Sequence, residues 1–230
     1  MSVSQANRNS APQTQAISAS SDEAVKVLLQ SGPTARWEYR VLKRAVDVIF
    51  SAGVLIVAAP LMLLIGVAVK CSGSGPVLFR QQRVGRSGQL FWIYKFRTLI
   101  DSEQAVSDRH WTRPMDKRIT PLGRILRQTS LDELPQFYNV LRGDMSLAGP
   151  RPERPHFVEA FQRRLPDYWQ RHIVLGGITG WAQVNGWRGD TSIEKRLEHD
   201  LYYLRHWTPW LDLKILLMTL ARGFYHPNAG

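Results

Sequence analysis

An apolar run over residues 46–69 constrains this chain most, because Asp47 is its only charged residue. As an α-helix, about 22 residues at ~1.5 Å each would reach ~33 Å, the hydrocarbon thickness of a bilayer. We therefore expect a membrane helix. The alternative is a buried core helix of a soluble protein, but a run of this length exceeds the apolar face of an ordinary globular helix.

Two features of this run argue against a simple membrane span. Pro60 lies inside it, where a proline removes a backbone hydrogen bond and bends the helix. Basic residues flank both ends, namely Lys43 and Arg44 before the run and Lys70, Arg80, Arg83 and Arg86 after it. Because cytoplasmic flanks collect Lys and Arg, we predict a re-entrant helix over residues 36–72 that enters and leaves by the same face.

Composition separates the N-terminal segment from the rest. Its first residues are rich in Ser, Ala, Gln and Asn, with too few large apolar side chains to offset the entropy of ordering. We predict a disordered tail over residues 1–35, and no secretory signal, since the apolar run comes later. Residues 73–230 are enough for one folded domain.

The formal charge of +11 and the pI near 10.2 indicate a polyanionic partner, such as nucleic acid, anionic lipid or a phosphorylated small molecule. Nucleic-acid binding is one alternative, in which tryptophans would stack on bases. The apolar run argues against it. The single cysteine, Cys71, excludes an internal disulfide and multi-cysteine zinc sites.

The predicted fold class is α+β and mainly helical, with one small β-hairpin. The hairpin consists of residues 77–84 and 89–97, because the intervening glycines permit a tight reversal. Strand alternation predicts that Lys95 and Arg97 point to the same side. Short helices are predicted at 123–127 and 135–142. Residues 153–171 and 211–220 are predicted as amphipathic interfacial helices, with ordinary surface or core packing as the alternative.

Two adjacent carboxylates, Asp132 and Glu133, lie between basic stretches and just before the helix predicted to begin at Pro135. The alternative is a capping box, in which Ser130 caps a helix and Glu133 bonds back, but Pro135 then falls inside that helix. We expect both carboxylates to stand free before the helix. An ionised aspartate there could attack phosphorus or hold Mg²⁺, which needs only one or two carboxylates plus phosphate oxygens.

Arg151 lies between Pro150 and Pro152, which restrict the backbone on both sides. Its guanidinium could therefore be held ready for two phosphate oxygens. The alternative is a proline-rich turn with an exposed arginine, and the local sequence does not decide between them.

Seven motifs occur together: KRAVD at 43–47, GPVLFRQ at 75–81, RVG at 83–85, YKFRT at 94–98, SLDELPQ at 130–136, NVLRGDMS at 139–146 and GPRPE at 149–153. In this order they resemble the bacterial sugar transferases, the monotopic polyprenyl-phosphate phosphoglycosyl transferases, over about residues 40–225. The resemblance implies a re-entrant membrane helix and a membrane-associated cytosolic catalytic domain over residues 73–230. The site would face the cytoplasm at the bacterial inner membrane.

The resemblance also implies a reaction. A sugar phosphate would pass from a UDP-sugar to undecaprenyl phosphate, with release of UMP, to start polysaccharide synthesis. Asp132 would form a covalent phosphosugar intermediate and contact Mg²⁺, and Glu133 would assist with the metal or a proton. The cations that match the family motifs, and would bind the phosphates, are Lys95, Arg97, Arg127 and Arg151.

Residues 186–190 and 200–205 look like the branch that transfers glucose 1-phosphate, so glucose is the expected sugar. That branch often carries a larger multi-span N-terminal portion, and this chain is similar to a short, catalytic-core form. Galactose, an N-acetylhexosamine and a non-catalytic scaffold are the alternatives, and a homodimer is left open. Leu175, Gly176 and Gly177 replace the family's usual Lys-Pro-Gly, which predicts a less charged and more mobile loop.

Overall fold

The computed structural model describes residues 37–100, 118–189 and 191–222, so the predicted tail at 1–35 lies outside the described residues. The helices are α1 (Trp37–Cys71), α2 (Pro121–Gln128), α3 (Gln136–Arg142), α4 (Pro155–Arg164), α5 (Trp181–Val184), α6 (Ile193–His206) and α7 (Pro209–Arg222). The strands are β1 (Leu78–Val84), β2 (Leu90–Phe96), β3 (Met145–Ala148) and β4 (Gly176–Thr179). The prediction of a mainly helical α+β fold is confirmed.

Helix α1 is 35 residues long and apolar enough to cross a membrane. Only 11% of its most apolar window is buried, whereas the core helix of a soluble protein would be mostly buried. Side chains such as Ile49, Ile56 and Val57 are more than two-thirds exposed. This exposed apolar surface indicates association with a membrane.

Both ends of α1 are fastened to the rest of the protein. Near its start, Lys43 Nζ donates to Ala148 O at 3.0 Å, and Arg44 donates to the carbonyls that end α3. Asp47 accepts the Leu147 backbone N–H at 3.0 Å. Near its end, Ile65 and Val69 pack in a buried cluster with residues of β2 and α2. The charged residues of the first sequence motif therefore serve to dock α1.

The predicted hairpin is confirmed, because β1 and β2 pair antiparallel from Leu78–Phe96 to Val84–Leu90. A 3₁₀ turn at Arg86–Gly88 closes it. Gly88 has φ of 76°, a left-handed conformation that glycine adopts without strain. The hairpin brings Lys95 beside the turn that carries Asp132 and Glu133.

A second sheet was not predicted. Strands β3 and β4 pair parallel, with Met145 opposite Gly176 and Ala148 opposite Thr179. Gly176 and Gly177 are buried in β4, so the expectation of a loop there is wrong. A Cβ on Gly177 would collide with the backbone of Gly149, which explains why glycine is needed at this close approach.

The two predicted amphipathic helices differ in what they expose. Helix α4 ends at Arg164, before the 3₁₀ helix Pro166–His172, and its Val158 and Phe161 pack on buried Tyr168. Packing within the protein therefore accounts for the apolar face of α4. Helix α7 buries Ile215 but leaves one apolar row exposed, consisting of Trp210, Leu213, Leu217 and Leu220.

Candidate active site

Asp132 and Glu133 lie in a 3₁₀ turn, Leu131–Glu133, directly before α3. The turn is set by Ser130, whose φ of 55° is left-handed, and by Pro135 at the N-cap of α3. The Ser130 side chain makes no capping hydrogen bond, so the capping box is not formed. The carboxylates do not stand free as expected, since they are only 6% and 7% exposed. Burial makes each charge depend on its neighbours.

Glu133 is the anion on which three cations converge. Its Oε1 accepts from Arg151 Nη2 at 2.6 Å, from Lys95 Nζ at 2.7 Å and from Arg188 Nη2 at 3.4 Å. Its Oε2 accepts from Arg151 Nη1 at 3.3 Å, which makes the Arg151 contact bidentate. Three cations on one carboxylate leave a positive excess, which suits an anionic ligand.

The charges of this cluster shift one another's pKa values. Burial alone would raise the pKa of Glu133, but Arg151, Lys95 and Arg188 hold that pKa well below its usual range. Burial lowers the pKa of Lys95 to about 8, against the opposing attraction of Glu133. For Arg151 the attraction of Glu133 outweighs burial and raises the pKa. Glu133 therefore stays ionised, and Lys95 can lose its charge in mildly alkaline solution.

Asp132 is in a different electrostatic state from its neighbour. Burial raises the pKa of Asp132, although Lys95 opposes the shift, and the negative charge of Glu133 raises it further. Among the described residues, no side chain donates a hydrogen bond to its carboxylate. A buried carboxylate without such donors is open to a metal ion or to an electrophile.

The structure brings three of the four predicted phosphate-binding cations to this region. Lys95 and Arg151 contact Glu133 directly. Arg127 is oriented by a 2.8 Å hydrogen bond from Nε to Thr98 Oγ1, and its charge acts on Asp132. All three cations therefore lie around the two carboxylates.

Arg97 is placed elsewhere, which corrects the expectation that it points with Lys95. Its guanidinium donates to the carbonyls of Val69, Gly73 and Ser74, at 2.9, 2.7 and 2.5 Å. These carbonyls lie at and just after the end of α1, where a helix leaves its last C=O groups without internal partners. Arg97 therefore ties the end of α1 to the hairpin.

Arg188 is the site residue that sequence reasoning missed. It follows α5 and lies between Gly186 and Gly189, both of which have positive φ. The signal was present, because this glycine-flanked arginine falls inside a segment that carried the resemblance to one branch of the family. Burial lowers the pKa of Arg188, while Glu133 opposes the shift.

The sequence model of one family, described as bacterial sugar transferase, matches residues 38–226. The chain belongs to the bacterial sugar transferase family.

Relatives of this sugar transferase carry names from one reaction class. The UDP-glucose:undecaprenyl-phosphate glucose-1-phosphate transferase of Escherichia coli (strain K12) is 44% identical over 196 residues, covering 83% of this chain and 42% of that protein. The protein of the same name from Caulobacter vibrioides is 43% identical, covering 88% of this chain and 77% of that protein. An Aeromonas hydrophila protein named UDP-N-acetylgalactosamine-undecaprenyl-phosphate N-acetylgalactosaminephosphotransferase is 42% identical, covering 79% and 43%.

The chain thus spans about two-fifths of the length of two of these three relatives, 42% of the Escherichia coli protein and 43% of the Aeromonas hydrophila protein. These proteins carry two names, which share the acceptor, undecaprenyl phosphate, and differ in the sugar. The comparison therefore supports a reaction class more strongly than it supports one donor.

The two carboxylates of this sugar transferase would suit a Mg²⁺ ion that binds together with the phosphates of the substrate. Within the described ranges, no group of three or more His, Cys, Asp or Glu side chains could hold a metal ion. Mg²⁺ commonly binds one or two carboxylates and completes its shell with water and phosphate oxygens. Asp132, which accepts no hydrogen bond from a described side chain, fits this role better than Glu133, whose oxygens already face cations.

Proposed function

We propose that this chain transfers a hexose 1-phosphate, with glucose 1-phosphate as the first choice, from a UDP-sugar to undecaprenyl phosphate. UMP would be the other product. The observation that carries the proposal is the buried carboxylate pair, in which Glu133 gathers three cations while Asp132 lacks hydrogen-bond donors from the described residues. The reaction would initiate exopolysaccharide, capsule or O-antigen synthesis.

In the proposed first step, a carboxylate oxygen of Asp132 attacks the phosphorus that carries the sugar. The bond from this phosphorus to the bridging oxygen breaks, the electron pair stays on that oxygen, and UMP leaves. Lys95, Arg151 and Arg188 would neutralise the charge that develops on the leaving phosphate. Burial raises the pKa of Asp132, and positive charge brought near it would lower that pKa and favour the reactive, ionised form.

In the proposed second step, a phosphate oxygen of the lipid attacks the same phosphorus, and the Asp132 carboxylate leaves. The sugar then remains joined to the lipid through a diphosphate. Arg127, which acts electrostatically on Asp132, is the cation that we assign to the incoming lipid phosphate. Because Asp132 carries the sugar phosphate between the two steps, the lipid phosphate never has to attack the donor's diphosphate directly.

Magnesium held by Asp132, Glu133 and the donor's phosphate oxygens would neutralise the diphosphate and polarise its phosphorus. Asp132 would bind the ion with its open oxygens. Glu133 would hold the ion more weakly, because its oxygens also keep Arg151 and Lys95 aligned.

We also propose that α1 is re-entrant and that the site faces the cytoplasm at the bacterial inner membrane. The support is that contacts near both ends of α1, through Lys43 and Val69, are made with the part of the chain that carries the site. Tags at residues 10 and 228 should both label from the cytoplasm. Labelling from opposite sides would refute a re-entrant α1.

The experiment is nucleotide release by detergent-purified protein supplied with magnesium and separate UDP-hexoses, with and without undecaprenyl phosphate. We expect UMP from one donor, a stoichiometric burst without the lipid, and no product from Asp132→Asn. Asp167→Asn, an exposed aspartate, is the matched control. Release of UDP would contradict phosphosugar transfer, and no product from any donor would favour a scaffold. Chelation of magnesium should abolish the burst.

A further inference from the structure

Three arginines from other elements hold the segment Arg151–Glu153, through two of its main-chain carbonyls and the Glu153 carboxylate. Arg171 Nη2 donates to the Arg151 carbonyl at 2.8 Å, and Arg83 Nη1 donates to the Pro152 carbonyl at 2.9 Å. Arg196 Nη1 donates to the Glu153 carboxylate at 2.8 Å. Arg151, whose side chain contacts Glu133, is thus held through its own main chain.

Arg171 lies in the 3₁₀ helix Pro166–His172 and is surrounded by specific partners. Its Nε donates to Asp200 Oδ2 at 2.9 Å and its Nη1 donates to the Tyr168 hydroxyl at 2.7 Å. The side chains of Arg171 and Asp200 are only 1% and 2% exposed. All three guanidinium nitrogens are engaged, which requires the planar fork of an arginine.

Stability alone gives a weak reason for this arrangement. Burying two charges costs about as much as their attraction returns, and apolar residues of similar volume often serve as well. The distinctive feature of Arg171 is that its Nη2, which lies 2.8 Å from Asp200 Oδ2, also donates to the Arg151 carbonyl at 2.8 Å. Pro150 and Pro152 already restrict this backbone, and one further hydrogen bond helps to fix the main chain from which the Arg151 side chain extends.

We infer that Arg171, anchored by Asp200 and Tyr168, is a positioning residue that aims Arg151 at the phosphates. This inference rests on the proposed function insofar as Arg151 binds the donor. It assigns Arg171 no contact with substrate. A displacement of about 1 Å in a positioned group can cost about 10²-fold in rate, so loss of this hydrogen bond should be visible in kinetics.

The test is Arg171→Lys, which keeps the charge but cannot serve Asp200, Tyr168 and the Arg151 carbonyl together. We expect kcat/KM for UMP release to fall by about 10–100-fold. Arg164→Lys is the matched control, because Arg164 pairs with Glu194 on the exposed surface. The control should retain the wild-type rate. Equal rates for Arg171→Lys and wild type would overturn the inference.

A double-mutant cycle separates positioning from general damage. In an Arg151→Lys background the positioned guanidinium is gone, so adding Arg171→Lys should lower the rate by no more than about threefold. If the two losses simply multiply, Arg171 acts independently of Arg151 and the inference fails. Tyr168→Phe covers the case in which Arg171→Lys does not fold. It frees one nitrogen without removing a charge, and an unchanged rate would then refute positioning.

A structural readout keeps this inference distinct from the proposed function. If the wild-type protein releases no UMP, the proposed function fails, and the inference is judged from experimental structures of wild type and Arg171→Lys. We expect the bidentate contact between Arg151 and Glu133, at 2.6 and 3.3 Å here, to be lost in the variant. Retention of that contact would overturn positioning whatever the protein catalyses.

Discussion

Two charged clusters lie on either side of Arg151, and they are balanced differently. Behind it, Arg171 pairs with Asp200 and Arg196 pairs with Glu153, with side-chain exposures of 1–6%. In front of it, Lys95, Arg151 and Arg188 share Glu133, and these cations are 18–19% exposed. With Arg83, which lies 3.7 Å from Glu153, the rear cluster holds three arginines for two carboxylates. The front cluster holds three cations on the single carboxylate of Glu133 and is more open to solvent.

The comparison indicates that one protein uses buried charge in two ways. Paired charges without solvent access hold a backbone in one position, because moving either partner leaves an uncompensated charge. Three cations that share the single carboxylate of Glu133 leave an excess of positive charge, which is costly until an anion arrives. We therefore expect rear-cluster changes to affect folding most and front-cluster changes to affect the reaction most.

Glu133→Gln should have the largest effect of the changes considered for the front cluster. Removing the charge on which Lys95, Arg151 and Arg188 converge should lower UMP release by about 10³-fold, since preorganised charge supplies much of phosphoryl-transfer catalysis. Glu133→Asp keeps the negative charge but shortens the side chain, so it should reduce UMP release by less than Glu133→Gln does. Wild-type activity in Glu133→Gln would contradict the assignment of the front cluster.

Asp200→Asn should break the rear cluster instead. It leaves the Arg171 charge buried without its counterion, which should lower the free energy of unfolding by about 3–5 kcal/mol. Chemical denaturation in detergent measures this change. Glu198→Gln, on the same helix α6, removes an exposed partner of Lys195 and should have no measurable effect. Equal stability of the two variants would remove the distinction between the clusters.

The sequence predicted the local parts of this arrangement. The β1–β2 hairpin, helix α3 and its stop at Gly143 follow from turn glycines and strand patterning within a short stretch of chain. The placement of Arg151 near the carboxylates came from family motifs, and the structure agrees. Each of these predictions needed only neighbouring residues or a motif order.

The parts that the sequence did not predict depend on contacts between distant segments. Strands β3 and β4 have four residues each, and β4 contains Gly176 and Gly177, which are more typical of a loop than of a strand. Arg188 reaches Glu133 across 55 positions of sequence. Arg97 matches a family motif but serves the end of α1, since residue type alone cannot reveal which carbonyls lie nearby.

Arg188→Met should separate activity from stability within the front cluster. The 3.4 Å contact to Glu133 is longer than those of Lys95 and Arg151, so we expect a smaller loss of UMP release, about 10–100-fold. Stability should not fall, because the change removes a cation that repels Arg151. Arg205→Met, at an exposed position of α6, is the control. A large loss of stability would place Arg188 with the rear cluster.

The pH dependence gives the finest distinction, because Lys95 is the cation of the front cluster whose pKa falls to about 8. Below that pH Lys95 is charged and supports both Glu133 and the donor phosphates. As pH rises through 8 the charge is lost, so kcat/KM for UMP release should fall by about tenfold per pH unit. Lys95→Arg keeps its charge and should move this alkaline limb upward, even if its maximal rate is lower. An unchanged alkaline limb in Lys95→Arg would show that a group other than Lys95 titrates there, and Lys95 would then not set the pH dependence of the front cluster.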